Sequence, residues 1–305
     1  MGSESTATLA KTHNPGAKSG LHIGIDVGGR PSKGFDLCAL TWAGGVPTKV
    51  AFSSVPHGAV LPNTDTLRPV VEKNDVAHFA KLTHQSALTT SLAVWKAITL
   101  FGDPCGVYVD SPSGFSRNTT GHGRRTEKAA LPGVSFQMTP SLHAGKSHQG
   151  DWGWLVYGMV AFAATIHRDK GFTVDEWEEH IRDGLYQPTL RLQDLTVREC
   201  FPTASIVALR AGGRAGVISL IGPVKSQAVA VVTAVEAYLI NGVRGTKRSG
   251  KALYDRADAF VAALTGLPDA AIGYSTRELL PVSQVKWAGR KPADHVLEGA
   301  ITLPT

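Results

Sequence analysis

The chain has 305 residues, of which 43% are hydrophobic and 18% are charged, and its formal net charge is +6. This composition can bury the core of one large domain, which excludes a wholly disordered chain, and the modest positive charge permits a nucleic-acid partner without requiring one. No apolar run reaches the roughly 18 residues that a membrane-spanning helix needs, so we expect no membrane span.

The first 20 residues predict a disordered tail. They are dominated by Ser, Thr, Gly, Ala and Lys, and they lack the apolar stretch of a secretory signal. The chain has three cysteines, each flanked by apolar residues and without Cys-x-x-Cys spacing: Cys38, Cys105 and Cys200. This pattern is typical of buried thiols in a reducing compartment. We therefore expect a cytoplasmic protein in which residues 21–305 form a single domain.

Three strands are predicted at the start of this domain. Residues 21–27, with the sequence LHIGIDV, are apolar and β-branched, and residues 35–42 and 46–55 show strand patterns as well. Glycine pairs at 28–29 and 44–45 mark the turns between them. The pattern predicts an antiparallel meander of three strands.

A helical period follows, and then a buried strand. Between residues 67 and 101, apolar side chains recur at spacings of three and four, which predicts two helices or one broken helix. Residues 105–110, CGVYVD, are almost entirely apolar, as in a strand buried at the centre of a sheet. Residues 111–150 are rich in Pro, Gly, Ser, Thr and His and have no sustained period, so we interpret them as an active-site insertion.

The rest of the chain alternates helices with a further strand. We predict a buried helix, an acidic surface helix, a fifth strand and two more helices at residues 151–169, 175–182, 192–201, 224–240 and 251–265, respectively. The closing sequence EGAITLP is interpreted as a last edge strand. This order predicts an α/β fold of the ribonuclease H-like type, with a mixed five-stranded sheet flanked by helices, in which three antiparallel strands are followed by parallel strands.

Acidic residues stand where this fold would bring carboxylates together. Asp26 lies in the first strand, Asp110 ends the fourth strand and Glu199 ends the fifth. Asp255 and Asp258 are three residues apart in the last helix, so they share one helical face. A carboxylate inside an apolar strand, such as Asp26, is almost never left without a partner. We predict that these five carboxylates form a catalytic cluster.

Such a cluster is suited to metal-assisted phosphodiester hydrolysis. In that chemistry, two magnesium or manganese ions about 3.5 to 4 Å apart activate a water and stabilise the leaving oxygen, and carboxylate oxygens are the ligands that these hard cations prefer. Structural roles stay open for three of the residues. Asp110 could accept backbone N–H bonds in the turn that follows it. Asp255 could be an exposed helix charge that pairs with Arg256 or Lys251, and Glu199 could pair with Arg198 or cap the next helix.

Basic residues flank the predicted cluster. The loop GVRGTKRSGK directly precedes the last helix, and a second group lies in the insertion. We predict that these side chains contact nucleic-acid phosphates independently of sequence, and the alternative is that they are solvated surface turns. The residues are Arg244, Lys247, Arg248 and Lys251 in the loop, and Arg124 and Arg125 in the insertion.

Five segments together resemble a known family. In chain order they are GIDVGGRPSKGFDLCAL, VYVDSPSG, RECFPTAS, YDRADAFVAALTG and EGAITLP, and they resemble the motifs of domain-of-unknown-function family 429, the predicted ribonuclease H-like nucleases. The segment DRADAFVAALTG also resembles the last catalytic helix of RuvC-type Holliday-junction resolvases. The resemblance implies that Asp26, Asp110 and Asp258 are metal ligands and that Asp255 or Glu199 joins them. The chain departs from the family in its long segment after Asp110 and in RRTEKAA.

Two other functions remain open from the sequence. GIDVGGRPSKG is similar to the first phosphate loop of actin-like ATPases and sugar kinases, whose Asp-x-Gly turn cradles nucleotide phosphates. Those enzymes need a second Asp-Gly-Gly turn, whereas Asp110 is followed by Ser-Pro. A catalytically inactive binding protein on the same fold is the third possibility, because a fold does not define a function. The sequence favours a metal-dependent nuclease of DNA or RNA.

Overall fold

A computed structural model describes residues 19–28, 33–73, 75–115, 152–183, 190–192, 195–211, 213–241, 251–267, 276–279 and 301–304. Within these ranges the chain has an α/β architecture, with one mixed sheet flanked by helices. None of the helices in the described ranges combines the length and the hydropathy that a membrane-spanning segment requires. The three cysteines are free thiols, as predicted, and Cys38 and Cys200 are buried.

The elements are numbered in chain order. The strands are β1 (Ser19–Val27), β2 (Gly34–Ala43), β3 (Val46–Pro56), β4 (Gly106–Asp110), β5 (Leu190–Leu192), β6 (Leu195–Cys200), β7 (Thr276–Leu279) and β8 (Ile301–Pro304). The α-helices are α1 (Thr64–Glu72), α2 (Val76–Thr99), α3 (Trp152–His167), α4 (Val174–Asp183), α5 (Pro202–Ala211), α6 (Gly213–Ile221), α7 (Val229–Asn241) and α8 (Lys251–Thr265). Short 3-10 helices cover Arg168–Lys170 and Gly222–Gln227.

The five predicted strands form the body of the sheet, in the order β3-β2-β1-β4-β6. β1 pairs antiparallel with β2, and β2 pairs antiparallel with β3, which confirms the predicted meander. β4 pairs parallel with β1, and β6 pairs parallel with β4. β4 therefore lies between two parallel neighbours near the centre of the sheet, as its apolar sequence predicts.

Three short strands extend this body. β5 pairs antiparallel with β6, β8 pairs parallel with β6, and β7 pairs antiparallel with β8. The prediction that EGAITLP forms an edge strand is wrong, because β8 lies between β6 and β7. A strand as short as β7 carries too few residues for a clear alternation in the sequence, so its place outside β8 was not predicted.

Several boundaries also differ from the predicted ones. β1 begins at Ser19, inside the predicted tail, whose residues 1–18 lie outside the described residues. The helical period after the meander is two helices, because the Asp75 side chain accepts the His78 N–H and caps the start of α2. α5 and α6 were not predicted, and α7 begins at Val229, after the 3-10 helix that Pro223 opens. The predicted insertion lies outside the described residues beyond position 115.

The two faces of β1 pack against different helices. Ile23 and Ile25 belong to a hydrophobic cluster with residues of α2 and α3. Gly24 and Asp26 alternate with them and face α8. A Cβ atom on Gly24 would lie 1.9 Å from the Ala259 oxygen and 2.5 Å from the Ala263 nitrogen. Only glycine permits this approach, which brings the backbone of α8 directly against β1.

Helix α4 is amphipathic, and its apolar face packs against α2. Thr173 and Glu176 form a reciprocal capping box, in which the Thr173 N–H donates to Glu176 Oε2 at 2.7 Å and the Glu176 N–H donates to Thr173 Oγ1 at 3.2 Å. Trp177 is fully buried, and its Nε1–H donates to Thr83 Oγ1 of α2 at 2.8 Å. The acidic composition predicted a surface helix, and the buried tryptophan shows that one of its faces belongs to the core.

Two histidines meet where α3 and α4 pack together. His167 Nε2 lies 2.8 Å from His180 Nε2, so one ring nitrogen must donate and the other must accept without a proton. Burial lowers the pKa of His180 from 6.5 to about 4, and the neighbouring His167 acts in the same direction. Burial also lowers the pKa of His167. The folded state therefore favours the form in which His167 and His180 are both uncharged.

We predict that His180→Gln flattens the acid dependence of stability. Because the pKa of His180 is lower in the folded than in the unfolded chain, stability is present above the ordinary histidine pKa and is lost as the pH falls from 6.5 to about 4. The loss amounts to at most about 3 kcal/mol. Urea unfolding at a series of pH values should show a smaller decline in unfolding free energy for the variant than for the wild type. His78→Gln, at an exposed histidine, is the control, and equal declines in wild type and His180→Gln would contradict the prediction.

Candidate metal centre

Three neighbouring strands carry carboxylates at the same level of the sheet. Asp26 of β1 lies opposite Asp36 of β2 and opposite Asp110 of β4. Directly paired residues project from the same face with Cβ atoms about 4.5 to 5.5 Å apart. The register therefore forms a row of three acidic side chains on the face of the sheet that α8 covers.

Helix α8 adds two further carboxylates to this row. Asp255 and Asp258 lie on one face of the helix, and Asp258 directly precedes Ala259, which contacts β1 at Gly24. Asp258 is 8% exposed and Asp26 is 9% exposed, so both lie almost entirely away from water. The close approach at Gly24 thus places the acidic face of α8 over the acidic row of the sheet.

The five carboxylates form two groups that share one member. Oxygens of Asp26, Asp110 and Asp258 lie within 4.8 Å of one another, and so do oxygens of Asp26, Asp36 and Asp255. The structure therefore brings together the three residues that the family resemblance implies as metal ligands. Each group has three oxygen donors and could hold a metal ion.

The second group is partly neutralised by the protein itself. Lys33 Nζ lies 2.9 Å from Asp255 Oδ2, and Arg256 Nε lies 3.9 Å from Asp36 Oδ1. The Ser54 hydroxyl donates to Asp36. The alternative that Asp255 pairs with Arg256 is not what the structure shows, because Arg256 is directed to Asp36 and Asp255 pairs with Lys33.

The pKa of the Asp26 carboxyl group is strongly perturbed. Burial raises its pKa well above the usual range, and the charges of Asp110, Asp258 and Asp255 raise it further, while Lys33 lowers it. A bound divalent cation would reverse this balance, because it favours the charged form that burial and repulsion disfavour.

Glu199 belongs to neither group. It pairs with Val109 and not with Asp110, so the alternation of the strands directs it to the opposite face of the sheet. There it is buried, and its Oε2 accepts the Ser113 N–H at 3.1 Å and the Ser113 hydroxyl at 3.3 Å. These bonds hold the turn after β4. The backbone oxygen of Asp110, at the start of that turn, accepts the Trp154 Nε1–H at 3.2 Å.

The predicted phosphate-binding residues are not tested by the structure. Arg244, Lys247, Arg248, Arg124 and Arg125 lie outside the described residues. Lys251 begins α8, but its side chain is not among those that the structure describes.

Sequence reasoning missed Asp36 and Lys33. A signal for Asp36 was present, because Asp26 and Asp36 are equally far from Pro31, at the middle of the predicted turn, and a symmetric hairpin pairs them. Lys33 has no comparable signal, since a single lysine next to a turn is ordinary.

Comparison of the chain with models of known protein families, with curated proteins and with solved structures gave no match. The assignment of these carboxylates to a candidate metal centre therefore depends on the geometry of this chain alone.

We predict that Asp26→Asn stabilises the protein when divalent ions are absent. The folded-state pKa of Asp26 is raised, so its ionisation costs folding free energy at any pH above the ordinary aspartate pKa. The substitution should raise the unfolding temperature at about pH 8 by roughly 2 to 6 °C, or about 1 to 2 kcal/mol, and the gain should shrink in acid. Thermal unfolding followed by circular dichroism measures it.

Adding manganese supplies the second half of this test. The ion should raise the unfolding temperature of the wild type and leave that of Asp26→Asn unchanged, because a ligand stabilises only the state that binds it. Asp103→Asn, at an exposed loop aspartate, should behave as the wild type does. A wild type that is more stable than Asp26→Asn without metal would contradict the account.

Proposed function

We propose that the protein is a divalent-metal-dependent nuclease with a ribonuclease H-like fold, and that it hydrolyses phosphodiester bonds of DNA or RNA. The observation that carries this proposal is the convergence of Asp26, Asp110 and Asp258, whose carboxylate oxygens lie within 4.8 Å of one another. They come from two adjacent parallel strands and from the helix that covers them. A mixed sheet of this arrangement, flanked by helices, supports the fold assignment.

The donor set favours magnesium or manganese over other metals. Both groups consist only of carboxylates, which are hard oxygen ligands, and neither contains a histidine or a cysteine. Two groups with a common carboxylate suit a pair of ions about 3.5 to 4 Å apart. The proposed ligands are Asp26 between the two positions, Asp110 and Asp258 on one side, and Asp36 and Asp255 on the other.

The metal ion and the protein side chains would have different roles in hydrolysis. A bound divalent ion would supply a Lewis acid that activates water and polarises the phosphate. Asp26, Asp110 and Asp258 would orient that ion, and the burial of Asp26 and Asp258 keeps water from competing for their oxygens. Lys33, which is 24% exposed, would offer an ammonium group to an incoming phosphate.

Nucleic acid is the proposed partner. The net charge is +6, and the basic loop directly precedes α8, the helix that carries Asp255 and Asp258. Cationic side chains in that loop and in the insertion would bind the phosphate backbone without reading sequence. The residues proposed for this contact are Arg244, Lys247, Arg248, Lys251, Arg124 and Arg125.

The glycines of the β1–β2 hairpin weigh against a nucleotide-binding loop. A Cβ atom on Gly28 would lie 2.4 Å from the Lys33 Cβ, and one on Gly34 would lie 1.9 Å from the Val55 oxygen. The Gly28 N–H also donates to the Gly34 oxygen at 2.9 Å. Close packing of the chain against itself thus accounts for both glycines, which supports the nuclease proposal over the ATP-binding alternative.

A nuclease assay tests the proposal. Purified protein should cleave at least one member of a panel of single-stranded, duplex and junction DNA and RNA when magnesium or manganese is present. A chelator should abolish the cleavage, because the described centre offers carboxylates that can bind metal and no paired cysteine and histidine. Asp26→Asn should lower the rate by orders of magnitude while circular dichroism shows the fold retained.

Asp103→Asn is the matched control and should keep the wild-type rate. Cleavage that persists in chelator would refute the metal mechanism. Micromolar binding of ATP without binding of nucleic acid would favour the phosphate-loop alternative. Nucleic-acid binding without cleavage under any metal condition would identify a catalytically inactive binding protein.

A further inference from the structure

Strand β3 forms one edge of the sheet, and among the described residues its only partner strand is β2. The backbone N–H and C=O groups of such a strand point alternately toward the neighbouring strand and away from it. Gln227 identifies the outward residues, because its side chain accepts the Val50 N–H and donates to the Thr48 oxygen, both at 3.0 Å. Phe52 and Ser54 follow Val50 in steps of two, so their backbone groups also point outward.

The β1–β2 hairpin gives the same alternation independently. The Gly28 N–H donates to the Gly34 oxygen, so the backbone groups of Gly34 face β1. Cys38 lies four residues further along β2 and therefore faces β1 as well. Because Cys38 lies opposite Phe52, these two residues are not bonded to each other, and the backbone groups of Phe52 point away from the sheet.

The outward groups that can take a further strand are confined to a short stretch. At one end, Gln227 already binds the Val50 N–H. At the other end, Pro56 has no N–H to donate. Between them, the outward N–H and C=O groups of Phe52 and Ser54 have no hydrogen bond to any part of the chain that the structure describes. Ser54 is exposed and Phe52 is partly exposed, so another strand can reach them.

This stretch is complementary to a second copy of itself. When two β3 strands lie antiparallel with Ser53 opposite Ser53, Phe52 of each copy faces Ser54 of the other, and each such pair exchanges both backbone bonds. Val50 then faces Pro56, and neither leaves a donor unmet, because the Val50 N–H is already bound. A shift of two residues places Ser54 opposite Val50 or Phe52 opposite Pro56, and an oxygen then lacks its donor.

We propose that β3 is a homodimer interface, at which two copies pair antiparallel about Ser53 and join their sheets into one. Directly paired residues project from the same face of a sheet, so the carboxylate centres of both copies would lie on one face of the joined sheet. Phe52 of the second copy would lie beside Ser54, whose hydroxyl donates to Asp36. The proposal goes beyond the proposed function and does not depend on it, because it concerns backbone bonding alone.

The dimer should be weak. The paired stretch is short, and small interfaces are typical of transient association. Each copy also has a net charge of +6, which opposes association and is partly screened by salt. We therefore expect a dimer that forms at high micromolar concentrations of protein.

The test is sedimentation equilibrium of the full chain over a range of concentrations at about 0.15 M salt, where charges a few ångströms apart still interact. Ser53→Lys and Ser53→Glu each place like charges directly opposite each other at the centre of the interface, and each should weaken the dimer roughly three- to tenfold. A mixture of the two variants in equal amounts should dimerise where neither does alone. Ser53→Thr, and Ser219→Lys at an exposed position of α6, should dimerise as the wild type does. Circular dichroism of each variant shows that the fold is kept.

Three results would overturn the proposal. A wild type that stays monomeric at the highest concentration would exclude the dimer and leave a segment of another protein as the occupant of this edge. A dimer that neither Ser53→Lys nor Ser53→Glu weakens would place the interface elsewhere. Weakening by both variants without recovery in their mixture would show that Ser53 does not face its own copy. None of these results depends on metal binding or cleavage, so the dimer and the nuclease can fail separately.

Discussion

Repulsion among carboxylates around Asp26 is the constraint on which the rest of the centre depends. Four other acidic side chains surround a carboxylate that is 9% exposed, and each of the charges of Asp110, Asp258 and Asp255 raises its pKa. Such an arrangement persists only if other interactions hold the elements together or a cation offsets the charge. The ion pair of Lys33 with Asp255 offsets part of it from within the chain.

Apolar packing of α8 also holds the centre together. Ala259, Phe260, Val261 and Ala263 are fully buried, and the helix backbone meets β1 at Gly24, where a side chain has no room. Burial of a large apolar side chain contributes about 1.5 to 3 kcal/mol. The apolar residues of α8 therefore stabilise the position that its acidic residues disfavour, and Gly24 sets how close the two elements come.

Much of the fold could be predicted because local patterns decide it. The alternation in β1 to β3, the apolar run of β4 and the period of α8 each lie within one segment of sequence. Pairing between distant segments decides the rest. Glu199 pairs with Val109, the residue before Asp110. Because side chains alternate along a strand, Glu199 projects from the face of the sheet opposite to that of Asp110. Asp36 joins the centre through the hairpin register, and β8 lies inside the sheet because β7, from a separate segment, pairs with its outer edge.

The central claim is that Asp26, Asp110 and Asp258 form a cation site, and anomalous diffraction from crystals of the protein soaked in manganese chloride tests it most directly. The account predicts a manganese peak among these three carboxylates in the wild type and its loss in Asp26→Asn. A wild-type map without a peak at these residues, or with manganese bound only elsewhere, would contradict it.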